Sequence, residues 1–206
     1  VAVSERAMTA ETRAAIALCG RVLGALFYLP PADPAVVPLL HLAESGELVS
    51  EWPFARAEVV AEIAPLLTQV DWRDAHALAV EYQRLFIGPD ALAAPPWGSV
   101  WLSEEGTLCG PSTLALRDFL ARHGIALATR QREPEDHFGL LMWAAAWLAE
   151  RDADAALAVL LREHLAPWAG RYLETFRQAA AHPFCQGAGR LAELSVQAML
   201  EALPGD

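Results

Sequence analysis

Five consecutive residues in the second half of the chain, Glu133-Pro134-Glu135-Asp136-His137, concentrate groups that could do chemistry. Three carboxylates and an imidazole could bind a metal ion or carry out acid–base catalysis. The same residues are typical of a helix start, in which Pro134 takes the first helical position and the carboxylates face the positive end of the macrodipole. A third interpretation is an acidic recognition site for a cationic ligand, because carboxylates pair well with guanidinium groups. The helix start explains most of these residues, but it does not explain the histidine at the mouth of an apolar helix.

A segment rich in proline and glycine, residues 88–111, carries two tryptophans, Trp97 and Trp101. A loop of this length inside a domain is uncommon and often functional. Flexible linkers rarely carry large aromatic side chains, so we expect an ordered loop that packs on the body rather than a linker between two domains. Four residues apart, the two tryptophans can share one face of a turn, as core residues or as anchors of a binding groove.

Motifs of common enzymes are absent: the chain contains no GxxxxGKS/T, GxGxxG, HExxH or GxSxG. No two of the six histidines sit at close ligand spacing, and the three cysteines form no CxxC pair, so we expect neither a preformed metal site nor a cofactor. The formal net charge of -11 repels phosphate backbones and attracts basic peptides. Nucleic acid is therefore not an expected partner.

The elements that position these residues are predicted to be helices only. Hydrophobic residues make up 54% of the 206-residue chain, and alternating β-branched runs are absent. The fold class is therefore all-α. Apolar spacing, capping residues, proline and glycine predict helices over 12–29, 34–42, 55–67, 71–87, 112–123, 134–151, a stretch after Asp152 or Asp154 that Pro167 kinks or splits, 168–181 and 191–203.

The apolar segments also bear on location. The first residues lack the basic region and apolar run of a secretory signal. The longest apolar run, Phe138 to Ala149, is far shorter than the roughly 20 residues that span a bilayer. We expect a cytoplasmic protein without stable membrane insertion.

Three stretches resemble a known family: YQRLFIGP at 82–89, PPWGSVWL at 95–102 and EPEDHFG at 133–139. Together they resemble the TorD/DmsD/NarJ family of redox-enzyme maturation chaperones, and most of all its DmsD-type members. The resemblance covers nearly the whole chain and implies one helical-bundle domain over residues 1–206. It also implies a protein without catalytic activity that binds the twin-arginine leader of a molybdoenzyme catalytic subunit, such as a dimethyl sulfoxide reductase. The client is then held for cofactor insertion and passed to Tat translocase components.

The resemblance further implies a peptide-binding surface drawn from all three stretches. Its residues are Tyr82, Leu85, Phe86, Pro96, Trp97, Trp101, Gly110, Glu133, Pro134, Asp136 and His137.

Two departures from DmsD-type chains are Tyr82 and Asp90, which stand where tryptophan is frequent. Asp90 adds negative charge beside the predicted site, so the peptide preference of this chain can differ from that of similar proteins. An alternative from a different class remains open at this point: a metal-assisted hydrolase that uses Glu133, Asp136 and His137.

Overall fold

The computed structural model describes residues 8–73, 75–127 and 133–204, and the described chain is helical without a named strand. The predicted all-α class is confirmed. The helices are α1 (Ala10–Tyr28), α2 (Val37–Glu44), α3 (Glu47–Ser50), α4 (Ala57–Leu67), α5 (His76–Tyr82), α6 (Gly98–Leu102), α7 (Pro111–Arg122), α8 (Phe138–Ala149), α9 (Asp154–Val159), α10 (Ala166–Ala179) and α11 (Pro183–Glu201). Over the described ranges, no helix is long and apolar enough to cross a membrane.

Helix α8 is the buried centre of the molecule and packs most extensively against α1. Apolar side chains lie on every face of α8, as expected for a helix that is buried on all sides. Small residues let the two backbones approach closely. A Cβ added to Gly20 of α1 would lie 2.5 Å from the Met142 carbonyl oxygen, and one added to Gly139 of α8 would lie 2.9 Å from the Gly24 carbonyl oxygen. Larger side chains at these glycines would force the helices apart.

Helix α5 continues for one wide, π-helical turn over Gln83–Ile87, and Gly88 ends it with a φ of +101°. The buried Glu81 fixes this helix to the turn between α10 and α11. Its carboxylate accepts hydrogen bonds from the Arg84 guanidinium and from the backbone N–H groups of Ala181 and His182. Burial alone would raise the Glu81 pKa, but these donors hold it below its ordinary value.

Segment 88–111 is ordered and packs on the body, as predicted, and it contains the short helix α6. Gly98 lies directly against the indole of Trp168, because a Cβ added to Gly98 would be 2.7 Å from the indole nitrogen. Arg171 of α10 donates a hydrogen bond of 2.8 Å to the Trp101 carbonyl oxygen. These contacts hold the proline- and glycine-rich segment in one conformation.

Several predicted boundaries are wrong. Helix α8 begins at Phe138 rather than at Pro134, so Pro134 to His137 form a turn before the helix, and the carboxylates of this segment are not in its first turn. The stretch around Pro167, in contrast, is divided as predicted: a π-helical segment over Leu160–Leu165 leads from α9 into α10, and Pro167 lies in the first turn of α10. The wide turn needs no hydrogen bond from the proline, which has no N–H to donate.

Candidate peptide-binding site

Two of the sequence stretches meet in a short antiparallel backbone ladder. Trp97 and His137 form an isolated β-bridge. On either side of it, the Gly98 N–H donates to the Asp136 carbonyl oxygen at 3.0 Å, and the Phe138 N–H donates to the Pro96 carbonyl oxygen at 2.8 Å. The ladder therefore places two segments side by side at the start of the central helix α8. We call them the tryptophan loop, residues 88–111, and the acidic segment, residues 133–137.

A cavity of about 610 Å³ opens on one side of this ladder. We call it the aromatic cavity. It brings together residues from α5, the tryptophan loop, the acidic segment and the turn after α1. It is lined by Tyr28, Leu29, Pro30, Pro31, Ala32, Ala79, Tyr82, Gln83, Phe86, Ile87, Trp97, Glu133 and His137.

The rings of Tyr82 and Phe86 form the wall that α5 contributes. Their centroids are 4.9 Å apart, and the Tyr82 hydroxyl donates a hydrogen bond of 2.8 Å to the Tyr28 carbonyl oxygen. Burial raises the pKa of Tyr82, so the phenol stays neutral and its hydrogen bond persists at neutral pH. The hydroxyl thereby ties α5 to the end of α1 and fixes the width of the cavity.

Glu133 is the carboxylate that lines the aromatic cavity. Burial raises the pKa of this half-buried group, and interactions with the Tyr28 hydroxyl and the Trp97 indole partly offset the increase. The Trp97 indole N–H is itself buried without a hydrogen bond of normal geometry to a described residue. A cation placed beside Glu133 would stabilise its charged form and would contact an aromatic face at the same time.

His137 is 3% exposed and serves as the N-cap of α8, since its Nδ1 accepts a hydrogen bond of 3.1 Å from the Gly139 N–H. This explains the histidine at the helix mouth. Its ring contacts Tyr28 and Trp97 at centroid distances of 5.1 and 6.0 Å. Burial lowers the pKa of His137 to about 3, so the ring is neutral at physiological pH.

Asp136 faces away from the aromatic cavity and is 4% exposed. Its Oδ2 accepts hydrogen bonds from the Ser99 N–H at 2.5 Å and from the Thr113 hydroxyl at 3.3 Å, which joins α6 and α7 to the acidic segment. Asp136 lines a second cavity, of about 200 Å³. The neighbouring Glu135 forms an ion pair with Arg117 at 2.7 Å.

The remaining predicted site residues line neither cavity. Leu85 is a core residue with 2% exposure, and Pro96 is buried in the ladder. Trp101 is half-buried, and its indole N–H donates to the Pro95 carbonyl oxygen at 2.7 Å. Gly110 is the N-cap of α7, and Pro134 lies in the turn before α8. A direct peptide contact by any of them stays a prediction.

Sequence reasoning missed the turn that follows α1, residues 28–32, which supplies five of the residues along the aromatic cavity. The only signal was Pro30-Pro31 at the end of an apolar helical pattern. That pattern indicates a helix end, and it carries no information about which cavity the turn borders.

The alternative of a metal-assisted hydrolase is not supported. Within the ranges that the structure describes, no group of three His, Cys, Asp or Glu residues is placed to hold a metal ion. Asp136 and His137 border different cavities, so their side chains do not converge on one site. Nδ1 of His137 is already engaged by the Gly139 N–H.

Comparison with known proteins gives consistent results. The family model described as "Nitrate reductase delta subunit" matches residues 51–174. The Tat proofreading chaperone DmsD of Salmonella typhimurium is 45% identical over 87% of this chain and 86% of its own length. A protein of Haemophilus influenzae, named as a probable Tat proofreading chaperone DmsD, is 38% identical over 88% of each chain. The structure of a redox enzyme maturation protein from Archaeoglobus fulgidus matches 92% of this chain with a TM-score of 0.52 and 20% identity, which shows a shared fold.

Proposed function

We propose a function from the premise that this chain belongs to the nitrate reductase delta subunit family. Two relatives that are similar to it over most of their length, from Salmonella typhimurium and Haemophilus influenzae, are named as Tat proofreading chaperones. We infer that it is a chaperone for a redox enzyme and that it binds the enzyme's twin-arginine leader. The finer proposal is that the client is a molybdoenzyme catalytic subunit, held until its cofactor is inserted and then passed to Tat translocase components.

The aromatic cavity with Glu133 at its edge is the observation that carries this proposal. A guanidinium group is planar and permanently charged, and it pairs with carboxylates and stacks on aromatic rings. The cavity offers both kinds of partner, because the Glu133 carboxylate and the Trp97 ring border the same space. The net charge of -11 favours the approach of a basic peptide.

The apolar part of a leader finds matching surface on α5. Ile87 lines the aromatic cavity and is 57% exposed, and Val80 of the same helix is also 57% exposed. Exposed aliphatic side chains beside an aromatic cavity are typical of a site that buries apolar ligand surface. We infer that the residues following the arginine pair pack here.

The test measures binding of two synthetic leader peptides by calorimetry at low salt, one with the arginine pair and one with both arginines replaced by alanine. We expect the arginine peptide to bind at least about tenfold more tightly, because a hydrogen bond to a charged partner contributes about 1.5–3 kcal/mol. Glu133→Gln keeps the shape of the side chain and removes its charge, so it should remove most of this difference.

Glu135→Gln is the matched control, since it makes the same change of charge two residues away, on a side chain that pairs with Arg117. It should bind the arginine peptide nearly as the wild type does. Equal affinity of the wild type for the two peptides would contradict the proposal. A loss of the same size in both variants would show that net charge, rather than Glu133, attracts the peptide.

The identity of the client needs a separate experiment. The protein, used as bait in extract from its own host, should retain a precursor whose leader contains consecutive arginines. Sequencing of that leader names the reductase, and a retained protein without an arginine pair would contradict the assignment.

A further inference from the structure

The second cavity, of about 200 Å³, lies across the Trp97–His137 ladder from the aromatic cavity. It is bordered by the start of α6, by α7 and by the π-helical stretch before α10. Its lining combines apolar side chains with hydroxyl and acidic groups. The residues are Gly98, Ser99, Leu102, Ser112, Ala115, Leu116, Asp136, Glu163, His164 and Trp168.

Two buried polar atoms in this lining have no hydrogen-bond partner among the described residues: Oδ1 of Asp136 and Oγ of Ser99. The two residues are 4% and 1% exposed. A buried carboxylate oxygen without a partner is costly, by about 1–3 kcal/mol or more for a charged group. In native proteins such atoms nearly always have a partner, so this oxygen is available to a ligand group or a water that enters the cavity.

The charge around the cavity favours a cationic partner. The buried Asp136 and the exposed Glu163 both line it, which gives the cavity two carboxylates. Burial lowers the pKa of His164, while the charge of Glu163 raises it in part and the charge of Arg122 lowers it further. The imidazole is therefore neutral at pH 7 and does not repel a cation. The apolar walls, Leu116 and Trp168, suit the methylene stem of a long cationic side chain.

The geometry points to the second cavity as a separate subsite for one arginine side chain of the bound leader, with the other arginine held beside Glu133 in the aromatic cavity. This inference rests on the proposed function and adds to it that the two arginines are recognised by different carboxylates. Consecutive side chains of an extended peptide project in opposite directions, so a leader bound between the two cavities would direct its two arginines to opposite sides.

Ser99→Ala and Glu163→Gln test this subsite without loss of the fold. The Ser99 hydroxyl bonds to nothing within the described residues, and Glu163 is exposed. Asp136 itself is unsuitable, since its other oxygen holds Ser99 and Thr113. Glu58→Gln, an exposed carboxylate in α4 that lines neither cavity, controls for net charge.

Four leader peptides are titrated into the wild type and the variants: the arginine pair, each single arginine with alanine at the other position, and the double alanine. Ser99→Ala and Glu163→Gln should each weaken binding of the arginine pair about five- to tenfold. Both effects should vanish against the same single-arginine peptide, and the effect of Glu133→Gln should vanish against the other one.

The outcomes separate this inference from the proposed function. A wild type that does not distinguish the arginine pair from the double alanine overturns both. A wild type that does distinguish them, with Ser99→Ala and Glu163→Gln binding like Glu58→Gln, overturns only the second subsite and leaves water as its occupant. Equal losses against both single-arginine peptides also overturn it, because the cavity then senses overall charge rather than one arginine.

Discussion

The buried, neutral His137 predicts a specific dependence of stability on pH. Its pKa falls from 6.5 in an exposed imidazole to about 3 in the fold, because burial disfavours the charged ring. The unfolded chain therefore binds a proton that the folded chain does not accept. The stabilisation from this group is complete above about pH 6.5 and is lost progressively as the pH falls towards 3.

The size of the effect follows from these two values. From pH 7.5 to pH 5.5 the free energy of unfolding should fall by about 1.4 kcal/mol through His137 alone, which corresponds to one pH unit below the unfolded pKa. His137→Asn removes the titrating ring and keeps a side chain that caps helices well, so the bond to the Gly139 N–H can be retained. The lost ring contacts lower stability by the same amount at every pH.

The assay is reversible urea denaturation of the wild type and of His137→Asn at pH 7.5 and pH 5.5. The stability difference between the two proteins should shrink by about 1.4 kcal/mol at the lower pH. His164 and His182, whose pKa values burial also lowers, are present in both proteins and cancel in the comparison. Parallel stability curves for the two proteins would refute the reasoning. Titration of the His137 ring by NMR gives the pKa directly, and a value near 6.5 would refute it independently.

Three further predictions concern the walls and supports of the aromatic cavity. Trp97→Ala should weaken leader binding by about 2 kcal/mol or more, as is usual when a central aromatic anchor is removed. The helical circular dichroism spectrum should stay unchanged. Loss of that spectrum would show that Trp97 is a core residue instead. Glu81→Gln should destabilise the protein at pH 7 and much less near pH 3. A carboxyl group with a lowered pKa contributes stability that is present above pH 4.5 and disappears as the pH falls. Urea denaturation at pH 7 and pH 3 checks this, and an equal loss of stability at the two pH values would contradict it. Leader binding near pH 5 should release protons, because a guanidinium group beside Glu133 would lower the pKa that burial has raised. Calorimetry in two buffers of different ionisation enthalpy measures this release, and Glu133→Gln should abolish it.

The sequence by itself determined the fold class and most of the helices. Apolar side chains occupy all sides of the predicted helix from Phe138 to Ala149. Such a helix is stable only when it is buried at the centre of a fold, which is where α8 lies. The three family stretches were also visible in the sequence. Local physics sufficed for these features, because helical periodicity and capping depend on residues within a few positions of one another.

Only the tertiary structure decided how the acidic segment is used. From sequence, Glu133, Asp136 and His137 formed one cluster of similar groups. The segment forms a turn that is hydrogen-bonded to Pro96 and Gly98, and the helix begins only at Phe138, so the three side chains are not gathered on one helical face. Glu133 borders the aromatic cavity, Asp136 the second cavity, and His137 caps α8. These assignments depend on hydrogen bonds to residues 37 to 42 positions earlier in the chain, and no local pattern of residue types encodes such partners.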